Sequence, residues 1–363
     1  MGENEAIFLT GFPGFIASRL VSRLAMEGYD LILLVQSAFL DRARSEVASL
    51  SKERGINADR FRILEGDITL PKLGLSPSAL EDVGKRTAYV FHLAAIYDLT
   101  VPRDLAMKIN VGGTRNVNEL ALALPKLRRY HYVSTCYVAG KRKGLILESE
   151  LEHSAGFRNF YEETKYIAEK EVSELNSQLP LTIYRPSVVC GDSSTGETAK
   201  YDGVYYLILY LLKHPSLLSL LNIGNDVVKL NLVPVDFVVK AMVALLQDES
   251  ALGQTIQIAD PAPLSTEELF ESISKTITGR GSMVRIPPRL VESTLSLRVS
   301  PGITGLPLSG VPYFFIDQTY DTSNANRLLA PHGLKCPEFS SYVGYLIEFV
   351  KGHPNLTTRI TGK

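Results

Sequence analysis

The apolar run Ala6-Ile7-Phe8-Leu9 has no polar interruption and reads as a strand buried on both faces. Ile16, Leu20 and Leu24 then recur at helical spacing until Gly28 offers a C-cap. The same alternation continues along the first half of the chain. DLILLV at 30–35 predicts a strand, a helix carrying Ala43, Val47 and Leu50 follows, and FRILEGD ending at Asp67 predicts a third strand. AYVFHLAA at 88–95 is a fourth, a helix from Asn110 to about Leu124 leads into YHYVST at 130–135, and a helix near 160–178 precedes LTIYRP at 181–186. Strands that are apolar throughout and separated by helices predict an α/β fold: a doubly wound parallel Rossmann-type sheet covered on both faces.

After Gly191 the pattern changes. Residues 191–230 are rich in Tyr and Leu, VPVDFVVKAMVALL resumes an amphipathic helix, TIQIAD reads as one more sheet strand, and 281–316 is apolar and punctuated by Pro and Gly. The predicted division is a cofactor domain over 1–190, completed by 231–260, with a smaller substrate lobe from 191–230 and 261–363. The apolar lining of that lobe suggests an apolar small-molecule substrate. The longest apolar stretch, Val204 to Leu212, is broken by Lys213-His214-Pro215 and falls short of the roughly 20 residues a membrane span needs.

Composition narrows the function classes. The net charge of −1 on 363 residues provides no general field for nucleic acid or an anionic membrane, so an anionic ligand must be held by local groups. Cys136, Cys190 and Cys336 have neither disulfide nor metal spacing and read as packing residues in a reducing compartment. Glu3 and Glu5 stand where a signal peptide would carry basic residues, and Ala6 where N-myristoylation wants Ser or Thr. The expectation is a cytoplasmic protein with no metal and no membrane span. Peripheral membrane contact and oligomeric state stay open.

The candidate chemistry begins at LTGFPGFIASRL, residues 9–20, where a strand turns into a helix over two glycines. A helix N-terminus offers free amides and the positive end of the dipole, so phosphate is its natural guest. Gly11 would permit the turn, Gly14 the approach of a pyrophosphate, and Ala17 close packing; the spacing departs from the strict Gly-x-Gly-x-x-Gly fingerprint. NAD sites place Asp or Glu about 20 residues further on. Here Gln36 stands near that point, and Arg42 and Arg44 could grip a 2′-phosphate or face water, which favours NADP(H) over NAD(H).

A proton donor is offered by Tyr-x-x-x-Lys, which occurs at Tyr137/Lys141, Tyr161/Lys165 and Tyr166/Lys170. The pair must lie one turn apart on a helix so that the ammonium can lower the phenol pKa and hold the cofactor ribose. Gly140 argues against a helix at Tyr137, whereas Tyr161 opens the helix-forming FYEETKYIAEKEV. His92 reads as a wall residue at a strand end, and Tyr201, Tyr205, Tyr206 and Tyr210 as either core or pocket lining.

Taken in order, TGFPGFIA, GDI, HLAA, NVGGTRNV, VSTCYVAG, YEETKYIAE and YRPSVVCGD resemble the motifs of the extended short-chain dehydrogenase/reductase superfamily. The resemblance implies that Thr135, Tyr161, Lys165 and Asn110 carry the chemistry. It implies cofactor contacts from Gly11, Phe12, Gly14, Phe15 and Ile16 at the turn, and from Gln36 and Arg42 at the ribose. Asp67 and Ile68 would meet the adenine, Leu93, Ala94 and Ala95 would wall the site, and Pro186, Val188 and Val189 would flank the nicotinamide together with Tyr161 and Lys165. Within the superfamily, GDITLPKLGLS, FHLAAIYDLT, VSTCYVAG and YDTSNANRLLAPHGLKCPEF are similar to the thioester-reductase and fatty acyl-CoA reductase branch, the male-sterility type.

That likeness implies NADPH-dependent reduction of a long-chain acyl thioester, carried on coenzyme A or a carrier protein, or of the fatty aldehyde made from it. VYYLILYLLKHPSLLSLL, directly after the nicotinamide loop, would wall a tunnel for the acyl chain. Gln36 departs from the Arg common in NADPH-binding members. The alternatives are an extended ketone/hydroxy dehydrogenase of 3-beta-hydroxysteroid or dihydroflavonol type, a nucleotide-sugar epimerase, and a non-catalytic dinucleotide sensor. The intact Thr135, Tyr161 and Lys165 set speaks against the sensor.

Overall fold

A computed structural model describes residues 5–213, 215, 221–223, 225–297 and 307–356. Seven parallel strands form the central sheet: β1 (Ala6–Thr10), β2 (Asp30–Val35), β3 (Phe61–Glu65), β4 (Thr87–His92), β5 (Arg129–Val133), β6 (Leu181–Pro186) and β7 (Thr255–Ile258). Their spatial order is β7-β6-β5-β4-β1-β2-β3. The chain winds outward from β1 to β3, crosses back to β4 and winds the other way, so the switch point lies between β1 and β4, where Thr10 is paired with His92. Every residue of β1, β4, β5 and β6 is buried, so even their polar residues, such as His92, Arg129 and Arg185, lie inside.

The crossover helices are α1 (Phe15–Met26), α2 (Leu40–Arg54), α3 (Pro77–Arg86), α4 (Gly113–Leu122) and α5 (Phe160–Ser173). α1 and α6 (Val235–Ala244) cover one face, burying Leu20, Val21, Leu24, Val238 and Met242 on Ile7, Leu9, Leu31 and Leu33. α4 and α5 cover the other, with Val117, Ala121, Ala168 and Val172 on Phe8, Ile32, Val90 and Tyr130. The helix expected from Asn110 begins earlier. Pro102 caps a turn at Arg103–Ala106, which runs through a π-turn at Met107–Gly112 into α4 and leaves Asn110 inside the helix.

A second apolar core joins the helix Val204–Lys213 to Leu230 and Leu232, to the helix Thr266–Thr278 (Leu269, Phe270, Ile273) and to Phe339–Gly352 (Tyr342, Leu346, Ile347). The helix Ser323–Leu329 instead docks on the first core through Ala325, Leu328 and Leu329. No helix among the described residues is long and apolar enough to cross a membrane.

Glu148 holds that docked segment. Its carboxylate, 4% exposed, accepts from the amides of Gln257 in β7 (2.8 Å), Asn324 (2.6 Å) and Ala325 (3.1 Å). Burial outweighs these bonds and pushes the carboxyl up to about 7. A folded pKa above the unfolded value means that the stability contribution is complete below the ordinary 4.5 and is lost as pH rises through 7. Wild type should therefore lose stability relative to Glu148→Gln as pH rises across that window, read as urea midpoints at a series of pH values. A difference between the two proteins that is flat with pH would remove Glu148 as the cause.

Candidate active site

β1 hands the chain to α1 through Gly11, whose φ of +96° is left-handed. A Cβ on Gly11 would stand 2.9 Å from the Ala94 nitrogen, and one on Gly14 2.6 Å from the Gly11 carbonyl oxygen, so both positions require glycine. Gly14 is the exposed N-cap of α1, and no side chain caps its first turn. The amide end of a ten-residue-plus helix thus opens at the switch point, in a cradle that any Cβ would fill, and these residues fit a dinucleotide pyrophosphate. Phe12 is buried in the core beneath the turn, while Phe15 and Ile16 are half-buried in the first turn of α1. The Arg19 guanidinium lies 4.7 Å above the Phe15 ring and donates to the Glu197 carbonyl at 3.1 Å, tying the loop after Gly191 to this cradle.

Gln36 is exposed directly after β2. Arg42 is exposed in the first turn of α2 without an ion pair among the described residues, and Arg44 stands 3.6 Å from Asp41. The Asp67 carboxylate accepts from the Thr69 amide at 2.8 Å. Ile68 is buried against Gly113, where a Cβ would come within 2.5 Å of its Cδ1. Leu93, Ala94 and Ala95 leave β4 over Gly11, and the Ala94 amide donates to Thr10 Oγ1 at 3.2 Å.

His92 links this wall to Thr114 and Asn110. Thr114 donates its hydroxyl proton to the Asn110 carbonyl (2.6 Å), so at 3.0 Å it accepts from His92 Nε2–H. Nδ1 is then the acceptor for the Thr10 hydroxyl at 2.8 Å. Burial, with the Lys165 charge adding to it, pushes His92 down to about 3 and keeps it neutral. It is a wall and a strut, as its place in the sequence suggested. Asn110, in the π-turn, accepts from the Ile96 amide at 2.8 Å and donates to Thr164 Oγ1 at 3.0 Å.

α5 presents Tyr161, Lys165 and Glu169 on one face, four residues apart. The Tyr161 phenol, 7% exposed, is hydrogen-bonded to Thr135, and the Tyr97 ring meets it edge-on at 5.0 Å. Burial raises the phenol pKa and the Thr135 bond opposes that rise. Lys165 donates to the Tyr132 hydroxyl and the Val133 carbonyl, both at 2.9 Å. Burial pushes its ammonium down to about 8, with Glu169 opposing. Two of its three N–H donors are thus used, and one remains.

Of the other Tyr-x-x-x-Lys pairs, Tyr137/Lys141 fails the helix criterion, whereas Tyr166/Lys170 meets it on α5 and differs in the direction of its ring. Tyr137 sits in a short 3-10 turn, Cys136–Ala139, and Tyr166 turns away to His153 and Phe157 at ring distances of 5.1 Å. Pro186 ends β6, and Val188 and Val189 lie in a short strand paired with Leu232–Pro234. Val188 also lines a cavity with Tyr137, Lys229, Leu230, Tyr313 and Tyr320.

Tyr201 and Tyr205 are core: the first donates to the His353 carbonyl (2.8 Å), and the second accepts from the Gly191 amide (2.8 Å). The helix Val204–Lys213 buries Val204, Tyr205, Leu207, Ile208 and Leu211 in the second core, so that face of the expected tunnel wall is packing surface, while Tyr206, Leu209, Tyr210 and Leu212 are half-buried. Residues 214 and 216–220 of that run lie outside the described residues. Sequence reading missed Glu162, Glu169, Arg185 and Tyr313, which surround the face of α5 that carries Tyr161 and Lys165. Glu169 had a signal, since it continues the 161/165 spacing; Tyr313 had none.

The male sterility protein family model matches residues 9–242, from the glycine turn through α5 to α6. The chain belongs to that family. It is 29% identical over 75% of its length to glycine betaine reductase ATRR of Emericella nidulans and 26% identical over 68% to fatty acyl-CoA reductase wat of Drosophila melanogaster. It spans 22% of the first and 54% of the second. Its fold matches the crystal structure of the terminal R domain from the myxalamid PKS-NRPS pathway with a TM-score of 0.82 at 24% identity, covering 98% of this chain and 92% of that one. This male sterility family domain is a member of the extended short-chain dehydrogenase/reductase superfamily, as its motifs implied.

Proposed function

We propose that the protein is an NADPH-dependent reductase acting on an acyl thioester with a long apolar acyl group, or on the aldehyde derived from it. The observation that carries the reading is the Tyr161 phenol bonded to Thr135 at the head of α5, with the buried Lys165 ammonium one turn on. The Gly11–Gly14 cradle would hold the pyrophosphate of the dinucleotide, whose reduced nicotinamide would supply hydride for the carbonyl carbon. Tyr161 gives its proton to the carbonyl oxygen as negative charge builds there, and the Thr135 hydroxyl steadies that oxygen. Lys165 spends its remaining donor on the ribose and stabilises the phenolate left behind. With a thioester the C–O bond of the resulting hemithioacetal re-forms as a carbonyl while the C–S bond breaks, releasing aldehyde and thiol. Asn110 keeps the π-turn, and with it the wall at Ile96, in place.

NADPH is favoured because Gln36 brings no negative charge and Arg42 is free to meet a phosphate. The thioester is favoured by the fatty acyl-CoA reductase relative, and the apolar acyl group by Val188 and Leu230 in the cavity. The test is kcat/KM over acyl-CoA, acyl-carrier and aldehyde series of rising length with each cofactor. Each methylene buried contributes about 0.8 kcal/mol, so four more carbons should raise kcat/KM by up to about two orders of magnitude. Turnover of ketosteroids or sugar nucleotides alone would overturn the substrate, and tighter binding of NADH than NADPH would overturn the cofactor.

A further inference from the structure

Tyr313 comes from the far end of the chain, in the 3-10 stretch Leu308–Phe314, yet it reaches the head of the catalytic helix. Its hydroxyl donates to Glu162 Oε1 at 2.6 Å and accepts from Asn159 Nδ2 at 2.6 Å. Asn159 is the N-cap of α5, and its Oδ1 accepts from the Glu162 amide at 3.0 Å. Glu162 is 0% exposed, directly follows Tyr161, and also accepts from the Arg158 amide at 2.9 Å. A buried carboxylate this close to the reacting phenol is costly unless each bond it accepts is kept. The Tyr313 ring packs on Tyr137 at 4.7 Å, and both rings line the cavity. Tyr137 in turn donates its amide to Thr135 Oγ1 at 3.2 Å. One side chain therefore touches the cavity wall, the cap of α5 and the residue beside Tyr161.

We propose that Tyr313 is a positioning residue: its hydroxyl, seated between Asn159 and Glu162, ties the cavity wall to the head of α5 and holds Tyr161 aligned for proton transfer. The inference rests on Tyr161 being the proton donor. Losing the hydroxyl loosens the first turn of α5 without changing the ring that substrate meets, so the loss falls on kcat and spares KM.

Tyr313→Phe should lower kcat by about ten- to a hundredfold, with KM and the Kd for NADPH within about twofold. Glu162→Gln should do the same, and the double variant should be no worse than the worse single, because one link is broken twice. Glu162→Gln should also shift the alkaline limb of kcat to lower pH, since the carboxylate raises the Tyr161 phenol. Tyr97 from the loop after β4, Tyr132 in β5 and Thr135 after it face that phenol and are unchanged in this variant, and the Arg158 guanidinium, 3.5 Å from Glu162 Oε1, loses its counter-charge and acts in the same direction. Amide exchange at residues 160–165 should quicken by about tenfold or more in Tyr313→Phe.

A kcat kept within about twofold, or single effects that multiply in the double variant, overturns the proposal. If wild type reduces no thioester or aldehyde, the functional reading fails, and amide exchange alone decides this one: unchanged exchange at 160–165 sinks it. Should Tyr313→Phe not fold, Glu162→Gln carries the same readouts.

Discussion

Tyr161→Phe should cut turnover by about 10²- to 10⁴-fold, the range a positioned general acid typically contributes, while NADPH affinity stays within a few-fold. The ring remains against Tyr97, and only the transferable proton and the Thr135 bond are lost. Lys165→Ala should damage both turnover and cofactor affinity. Its ammonium is bonded to Tyr132 and Val133 on the sheet side and still has a donor to offer, so under the proposed reading its removal would take away the ribose contact as well as the charge one turn from the phenol. Steady-state kinetics and NADPH fluorescence titration separate the two outcomes. Tyr166→Phe is the matched control, because its ring packs on His153 and Phe157 on another face of α5 and should leave turnover unchanged. A Tyr161→Phe enzyme that keeps more than about a tenth of wild-type activity would assign the proton to another group.

The parts of this molecule that sequence reveals are those built from local pattern. DLILLV and LTIYRP coincide with β2 and β6 because a strand buried on both faces is mostly apolar, with its few polar residues, such as Arg185, partnered inside, and TIQIAD places the edge strand β7 for the same reason. Gly11 and Gly14 were legible because a tight turn over a closely approaching backbone leaves glycine as the residue that fits, and the structure puts backbone atoms within 3 Å of each missing Cβ. Helical geometry separated the Tyr161/Lys165 pair from Tyr137/Lys141 but not from Tyr166/Lys170, which shares α5; there the motif resemblance and the direction of the ring make the choice.

What sequence does not show is the partner of a buried charge. Glu162 and Glu169 look like ordinary helix-favouring residues in YEETKYIAEKE, yet both are wholly buried, and their partners Tyr313 and Arg185 lie about 150 and 16 residues away. The tunnel wall assigned to 204–221 is narrowed to one face in its described part for a related reason. An apolar helix beside a site can face the ligand or the core, and periodicity alone does not choose.

Arg185→Ala should destabilise the fold by about 3–5 kcal/mol, the cost of stripping one partner from a buried ion pair. Arg185 reaches Glu169 through Nε at 2.7 Å and Nη2 at 2.5 Å, and also donates to the carbonyls of Glu148 (3.3 Å) and Glu150 (3.0 Å). Without it the Glu169 carboxylate keeps the Ser134 hydroxyl inside the apolar face of α5. The double change Arg185→Met with Glu169→Leu removes both charges and should recover most of that loss, since an apolar pair of similar volume leaves no carboxylate without a partner. Urea denaturation of the three proteins reads the difference directly. Arg185→Ala within about 1 kcal/mol of wild type would mean that the pair is solvated like a surface bridge. The double variant carries a second signature, because Glu169 is the charge that opposes the burial of Lys165. With that charge gone the Lys165 ammonium falls further below about 8, so the refolded double variant should lose NADPH affinity at a lower pH than wild type does.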